Sequence, residues 1–289
     1  MDWARIGSTA YWTTFTVAFL LVAAWESRAP ERPWVVPAGR RWTVHGLLMI
    51  SGALLRAAVL RLSPVAVAMG PARSWSFPWA SGLPVWVGVP VAVLLLDLSK
   101  YFTHRLFHAI PWFWRVHRVH HSDPDFDVST GLRFHPLEPL LPVASDLLLI
   151  QLFALPVEGV IAAQLVSVAS NFFEHANADV PDAWGKVLRG WLVLPRTHRI
   201  HHSDAFGDQQ TNFGEAFVWW DKLFGTYRDR SEAGGTFAVG LPGYQEPRSV
   251  EFVEMLMQPF HAERATENSA DLLAAASEDQ ESASDQSHG

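Results

Sequence analysis

Four long apolar stretches dominate the first 170 residues. They run from about Ala10 to Ala24, Val44 to Leu60, Leu83 to Leu98 and Leu140 to Val168. A helix needs about 17–25 predominantly apolar residues to cross a bilayer. The first three stretches reach the lower end of that range, and the second carries Arg56. The fourth is long enough for a bent span or for a helical hairpin that enters and leaves on one side. Pro142 and Pro156 mark two places where it can break. The first stretch lacks a basic leader and a small-x-small site before Trp25-Glu26, so it reads as a retained helix. The pattern predicts an all-α, integral-membrane helical bundle of about three spans plus a membrane hairpin, with the polar remainder forming a helical cap. A soluble protein with an apolar helical core is the competing reading.

Polar residues inside apolar helices need a reason. Asp97, Tyr101, His104 and His108 follow i, i+4, i+7, i+11, a single helical stripe at the end of the third span. Gln164, Ser167, Asn171 and His175 form a second stripe, with Glu174 beside it. Two membrane helices are thus expected to deliver polar faces to one site. Three histidine clusters adjoin them: His104 and His108; His117, His120 and His121; His198, His201 and His202. On helices, such spacings point two or three imidazoles the same way. His175 is a ninth candidate and His135 a tenth, whereas His45, His261 and His288 lie outside the clusters.

Composition narrows the chemistry. There is no cysteine, which excludes disulfides, thiolate zinc sites and iron–sulfur clusters carried by this chain. Apolar residues make up 49% and charged residues 18%, with 14 Trp and 18 Phe, in keeping with a lipid environment. Of the net charge of −7, six units fall in residues 262–289, an acidic tail that reads as disordered. No basic stripe suggests nucleic acid. Arg28, Arg32, Arg40 and Arg41 cluster before the second stretch, and Lys100, Arg105, Arg115 and Arg118 after the third. Placing both on the cytoplasmic side of a bacterial inner membrane predicts a periplasmic N-terminus and cytoplasmic histidines.

Neutral imidazole suits zinc, iron and copper alike. Nine or ten such ligands divide into four or five per ion for two ions, leaving room for water, oxygen or substrate. Ligating histidines need an acceptor for the second ring nitrogen, and Asp97, Glu138, Asn171, Glu174, Asp204 and Asp221 are candidates near in sequence. An all-nitrogen diiron centre suits activation of O2 against an unactivated C–H bond. Spacing alone does not separate iron from zinc.

The motifs around the clusters resemble the integral-membrane fatty acid hydroxylase and sterol desaturase superfamily. Asp97-Leu-Ser-Lys-Tyr-Phe-Thr-His-Arg-Leu-Phe-His108 looks like its first histidine box, and Trp114-Arg-Val-His-Arg-Val-His-His-Ser-Asp123 like its second. Arg133-Phe-His-Pro-Leu-Glu138 resembles its His-Pro-Leu-Glu element, and Pro195-Arg-Thr-His-Arg-Ile-His-His-Ser203 its third box. Asn212-Phe-Gly214 and Trp220-Asp-Lys-Leu-Phe-Gly-Thr-Tyr227 match its closing segment. The resemblance covers about residues 85–230. It implies a cytoplasmic diiron site, with zinc as a possible substitute, and O2-dependent hydroxylation, desaturation or methyl oxidation of an acyl lipid, sterol or other isoprenoid. It carries the eight box histidines over directly and matches His175 to the family's intervening histidine. Asn171 stands where some relatives have another histidine.

No haem, flavin or nicotinamide motif is visible, so a separate electron donor, a ferredoxin, cytochrome or reductase, is implied. Two other readings stay open: a dizinc hydrolase of membrane lipids, and a non-enzymatic metal-binding or transport membrane protein. The expected organisation is membrane helices over 1–80, a catalytic domain over 81–230, an extension over 231–261 and the tail.

Overall fold

The computed structural model describes residues 1–77, 82–234 and 237–262. The expected acidic tail falls outside them except for Ala262. Among the described residues the regular elements are helices, with two isolated antiparallel bridges, Leu192 with Phe217 and Ser203 with Val239.

Helix α1 (Trp3–Arg28) starts where the Asp2 side chain accepts from the Arg5 amide at 3.0 Å, satisfying a donor that the first turn leaves free. Helix α2 (Ala38–Leu60) ends at Arg61, which has a positive φ of 54°, and the chain turns into the short α3 (Pro64–Ala68). Helix α4 spans Val85–Ala109. Three helical segments, α1, α2 with α3, and α4, are long and apolar enough to cross a membrane. Leu20, Leu21, Leu54 and Trp86 are exposed on them, as lipid-facing side chains would be. Pro111 stops α4, because it has no amide to continue the ladder, and instead opens α5 (Pro111–His121).

The fourth apolar stretch is a hairpin of α6 (Leu140–Phe153) and α7 (Val157–Glu174). It breaks once, at Ala154 (φ 50°) and Pro156. Pro142 makes no break: it sits in the first turn of α6, where a missing amide costs nothing. The tip meets the loop beyond α3, with the Phe77 amide donating to the Leu152 carbonyl at 2.6 Å and Ser76 Oγ to the Gln151 carbonyl at 2.7 Å. The hairpin therefore runs the depth of the bundle and returns to the side it entered.

Helix α7 is the bundle's centre, packed on α1 and α4. Phe172 lies edge-to-face with Phe15 and Phe19 of α1, centroids 5.0 and 5.5 Å away. A Cβ on Gly159 would fall 2.6 Å from that of Ala92, so glycine is what permits the α4–α7 contact. Close approach of this kind holds helices together where no hydrophobic effect acts between them.

The cap contains α5, a 3-10 turn at Val128–Leu132, α8 (Asp182–Leu188), α9 (Pro195–His201), α10 (Phe206–Gln209), α11 (Trp219–Leu223) and α12 (Phe252–Met257). A buried ionic knot ties it to α2. Arg41 pairs with Asp123 at 2.6 Å and with Asp127, and lies 3.8 Å from Asp125. These arginine contacts hold Asp123 well below the usual carboxylate range despite its burial. His45 joins the knot through Ser129, 3.0 Å from Nδ1, and is fully buried. Arg133 donates to the Val119 and Ser249 carbonyls at 2.8 and 2.9 Å. Residues 247–261 strap across α5, where Arg118 donates to the Gln258 and His261 carbonyls and Met255 packs on Leu48 and Val119.

Candidate metal centre

Three local breaks aim the histidines. The α4–α5 corner at Pro111 folds the second cluster back onto the first. The end of α7 presents His175 at its C-terminus, and Pro195 starts α9, which carries His198 and His201 with His202 just beyond. Nine imidazoles converge in two groups. His104, His108, His117, His121 and His201 form one; His120, His175, His198 and His202 form the other; in each, one ring nitrogen per residue lies within 4.8 Å of all the rest. Each i, i+3, i+4 triple straddles both groups. Residues i and i+4 lie about 40° apart around a helix, whereas i+3 diverges from i+4 by about 100°. His117 and His121 accordingly go to one group and His120 to the other; His198 and His202 share a group that His201 leaves.

The donor set identifies what such a focus could hold. The Nδ1 atoms of His104, His201 and His175 lie 2.9, 2.7 and 2.6 Å from the carbonyl oxygens of Phe213, Thr211 and Asn171. A carbonyl only accepts, so Nδ1 carries the proton and Nε2 keeps a lone pair. His117 is fixed the same way, with Nδ1 donating to Glu138 Oε1 at 2.6 Å. Yet Nε2 of His104 lies 3.0 Å from that of His201 and 3.1 Å from that of His117. In the other group, His175 Nε2 lies 3.1 Å from that of His198 and 3.2 Å from that of His120. In the five-histidine group these are lone pairs, which repel at this distance unless a cation lies between them. Adjacent ligands at about 2.1 Å from one ion, set at right angles, would be about 3.0 Å apart. His108 and His121 have both ring nitrogens buried without a partner, as is Nε2 of His202. The residues fit two transition-metal ions.

Burial keeps the imidazoles neutral, as ligation requires. It pushes His117 down to about 3 and His175 to about 4, and His120, His121, His198, His201 and His202 well below the ordinary histidine range, where neighbouring imidazoles add to the effect. Phe126 and Phe134 wall the four-histidine group, with Phe134 stacked on His120 at 4.6 Å. Phe107, Trp114 and Phe213 wall the five-histidine group. His104 and His108 are the half-buried members, so the site is open on the α4 side.

His135 stands outside both groups. Its Nδ1 accepts from the Leu137 amide at 3.2 Å and its Nε2 faces the Leu256 carbonyl at 3.3 Å, so the turn and the C-terminal strap occupy both nitrogens. Among the predicted acceptors, Glu138 holds His117 directly. Glu174 lies 3.8 Å from Nδ1 of both His175 and His198, too far for a hydrogen bond. Asn171 serves through its carbonyl, while its side chain donates to the Gly131 carbonyl at 2.8 Å. Asp97 and Asp221 reach no histidine. Asp97 accepts from the Ala216 amide and Trp220 Nε1, and Asp221 from the Phe213 and Gly214 amides. Asp221 thereby steadies the loop whose Phe213 carbonyl orients His104. The Asp204 amide donates to the Ala238 carbonyl, and its carboxylate has no histidine partner. The carbonyl acceptors at Phe213 and Thr211 escaped the sequence reading because backbone groups leave no residue-type signal.

Residues 89–226 match the sequence pattern of the family described as fatty acid hydroxylase. The chain is 29% identical over 256 residues to an ornithine lipid hydroxylase of Rhizobium tropici, covering 85% of this chain and 75% of that protein. It is 28% identical over 154 residues to an alkylglycerol monooxygenase of Caenorhabditis elegans, covering 53% of this chain and 28% of the relative. Against a cholesterol 25-hydroxylase of Rattus norvegicus, identity is 26% over 142 residues, 48% of this chain and 46% of the relative. The chain thus spans less than half the length of these two animal proteins. No solved structure matches.

Proposed function

Because the chain belongs to the fatty acid hydroxylase superfamily, matched over residues 89–226, we propose that it is an O2-dependent lipid oxygenase whose two histidine groups each hold one iron ion. The observation that carries this reading is the pair of buried foci where histidine Nε2 atoms face one another at 3.0–3.2 Å, those of His104, His117 and His201 in one focus all unprotonated. Two iron ions would supply the reduction of O2: one oxygen atom enters a C–H bond, the other leaves as water, and an external donor provides two electrons.

This chain's residues do the positioning. The Phe213, Thr211 and Asn171 carbonyls and the Glu138 carboxylate fix four imidazoles in the tautomer that ligates. The buried Phe126 and the half-buried Phe134 screen the four-histidine group from bulk water. The half-buried His104 and His108 lie on α4, one of the three segments long and apolar enough to cross a membrane, from which a lipid chain would arrive. The 81–230 segment is the catalytic unit in this reading, the Arg distribution puts it in the cytoplasm with a periplasmic N-terminus, and the donor is a separate ferredoxin, cytochrome or reductase. One relative, matched over 256 residues, is named an ornithine lipid hydroxylase, and we take a polar bacterial lipid as the substrate class.

The test combines metal analysis with lipid mass spectrometry. Protein purified in mild detergent is expected to hold two iron ions per chain. Cells expressing it should gain a lipid heavier by one oxygen, dependent on O2. Less than one metal per chain would overturn the dinuclear site. Lipid cleavage by the zinc form without O2 would instead establish the hydrolase.

A further inference from the structure

The closing segment after the third histidine cluster is polar enough to pass for an ordinary cap loop, yet its anchor lies deep on α4. Ala216 N donates to Asp97 Oδ1 at 3.1 Å and Trp220 Nε1 to Asp97 Oδ2 at 2.7 Å. Phe224 stacks on Tyr101 with centroids 5.3 Å apart. Asp97 stands about 18 Å along α4 from Val85 at 1.5 Å per residue, whereas a hydrocarbon core is about 30 Å thick. With α4 perpendicular and Val85 at the far boundary, Asp97 would still lie about 12 Å inside the near boundary. Any tilt of α4 buries it further.

A second segment is carried to the same depth. Val193 N donates to the Ala216 carbonyl at 3.0 Å, Val218 N to the Trp191 carbonyl at 3.2 Å, and Trp219 Nε1 to the Gly190 carbonyl at 3.2 Å. Helix α8 precedes this pairing directly. Four large apolar side chains of these two segments are uncovered: Trp184 is 68% exposed, Val187 61%, Trp191 58% and Leu223 69%. Lys186, Arg189 and Lys222 are exposed among them in the sequence, the combination of apolar and cationic residues that settles at a headgroup boundary.

We propose that residues 184–191 and 216–224 form a membrane-embedded foot of the cap, seated in the acyl–headgroup zone of the leaflet on the histidine side. Irregular backbone is tolerated at that depth only where its polar groups are satisfied. Two acids do this. Asp97 accepts from the Ala216 amide, and Asp221 accepts from the Phe213 and Gly214 amides at 2.8 Å each and from Thr226 Oγ at 2.7 Å. An aspartate in the third span and one in the closing segment thus have one shared physical purpose. The foot continues the lipid-facing surface of α4, whichever metal the centre binds.

The absence of cysteine makes the test clean. Single variants Val187→Cys, Trp191→Cys and Leu223→Cys, all at exposed positions, are labelled with bimane in the full chain reconstituted in phosphatidylcholine–phosphatidylglycerol vesicles. Leu54→Cys, on the outer face of α2, is the lipid reference. Glu251→Cys, in the exposed Arg40–Glu251 pair, is the water reference. Retained metal content and a monodisperse elution profile show that each variant is folded. Quenching by doxyl-labelled lipid relative to iodide should lie nearer the Leu54 reference at all three positions, by at least about threefold over Glu251. Ratios nearer the Glu251 reference at Trp191 and Leu223 would overturn the proposal, whatever the lipid activity of the variants.

Discussion

In the five-histidine group three rings are fixed through Nδ1, His104 by the Phe213 carbonyl, His201 by Thr211 and His117 by the Glu138 carboxylate. In the four-histidine group only His175 has such a tether, the Asn171 carbonyl. His120 Nδ1 and His198 Nδ1 are buried without a hydrogen bond, and Glu174 stands 3.8 Å from His198. The two groups also differ in surroundings. The first opens toward α4 through His104 and His108, while all four members of the second are buried. One half of the centre is rigidly aimed and accessible; the other is enclosed and held by packing. An imidazole fixed on both nitrogens resists displacement, so the enclosed ion is expected to be the one lost first.

The largest effects come from removing a ligand in each half. His201→Ala leaves four imidazoles in its group and His120→Ala leaves three. Both should reduce lipid oxidation at least about 100-fold. Iron per chain should fall further in His120→Ala, and full turnover with two iron ions in either variant would end the two-group scheme. Next is Glu138. Glu138→Ala removes the acceptor for His117 and should weaken metal retention by about 10–100-fold, read by chelator competition, while Glu138→Gln, which can still accept, should recover most of it.

Acid separates the halves more gently. Folding lowers His175 to about 4 and His117 to about 3 through burial, whereas an unfolded histidine titrates near 6.5. The unfolded chain therefore binds protons first as pH falls. The stability these groups contribute is complete above about pH 6.5 and is lost progressively down to their folded values, by up to about 1.4 kcal/mol per pH unit for each. Metal-free protein should lose its fold over that window in thermal unfolding, and the loaded protein should release the four-histidine ion at the higher pH. Simultaneous release would erase the difference in tethering. The smallest effects belong to His135 and Glu174. His135→Ala should keep two iron ions and lose about 1 kcal/mol of stability, the scale of a backbone hydrogen bond. Glu174→Gln should change metal retention less than Glu138→Ala does.

The legible parts of the molecule were those written in residue type and period. The long apolar stretches are α1, α2, α4 and the α6–α7 hairpin, and the histidine spacings give the clusters that nine of ten candidates bring together. What sequence could not show was direction and distance. Pro142 reads as a breaker but falls in a first turn where proline is harmless. His135 has the right chemistry, yet a turn and the C-terminal strap engage it. Asp97 shares a helical stripe with His104, but seven residues along a helix is about 10 Å, enough for it to serve a different loop. The Arg41 knot joins residues more than 80 apart in the chain, and an arginine in a cluster ahead of an apolar stretch carries no sign of which acids will meet it.

That knot also sets an order of assembly. Arg41 sits in the first turn of α2, and its partners Asp123 and Asp127 lie between the second histidine cluster and the turn beyond it. The guanidinium is made 82 and 86 residues before the two carboxylates that neutralise it. Three acids left without it would have to close over one another's charge, which a buried loop does not tolerate. The histidine cap is therefore not a detachable module: expressed without α2, the segment from α5 onward would be a client for proteolysis rather than a soluble metalloprotein. A single arginine thus makes the neutrality of the buried cap depend on the helix that carries it.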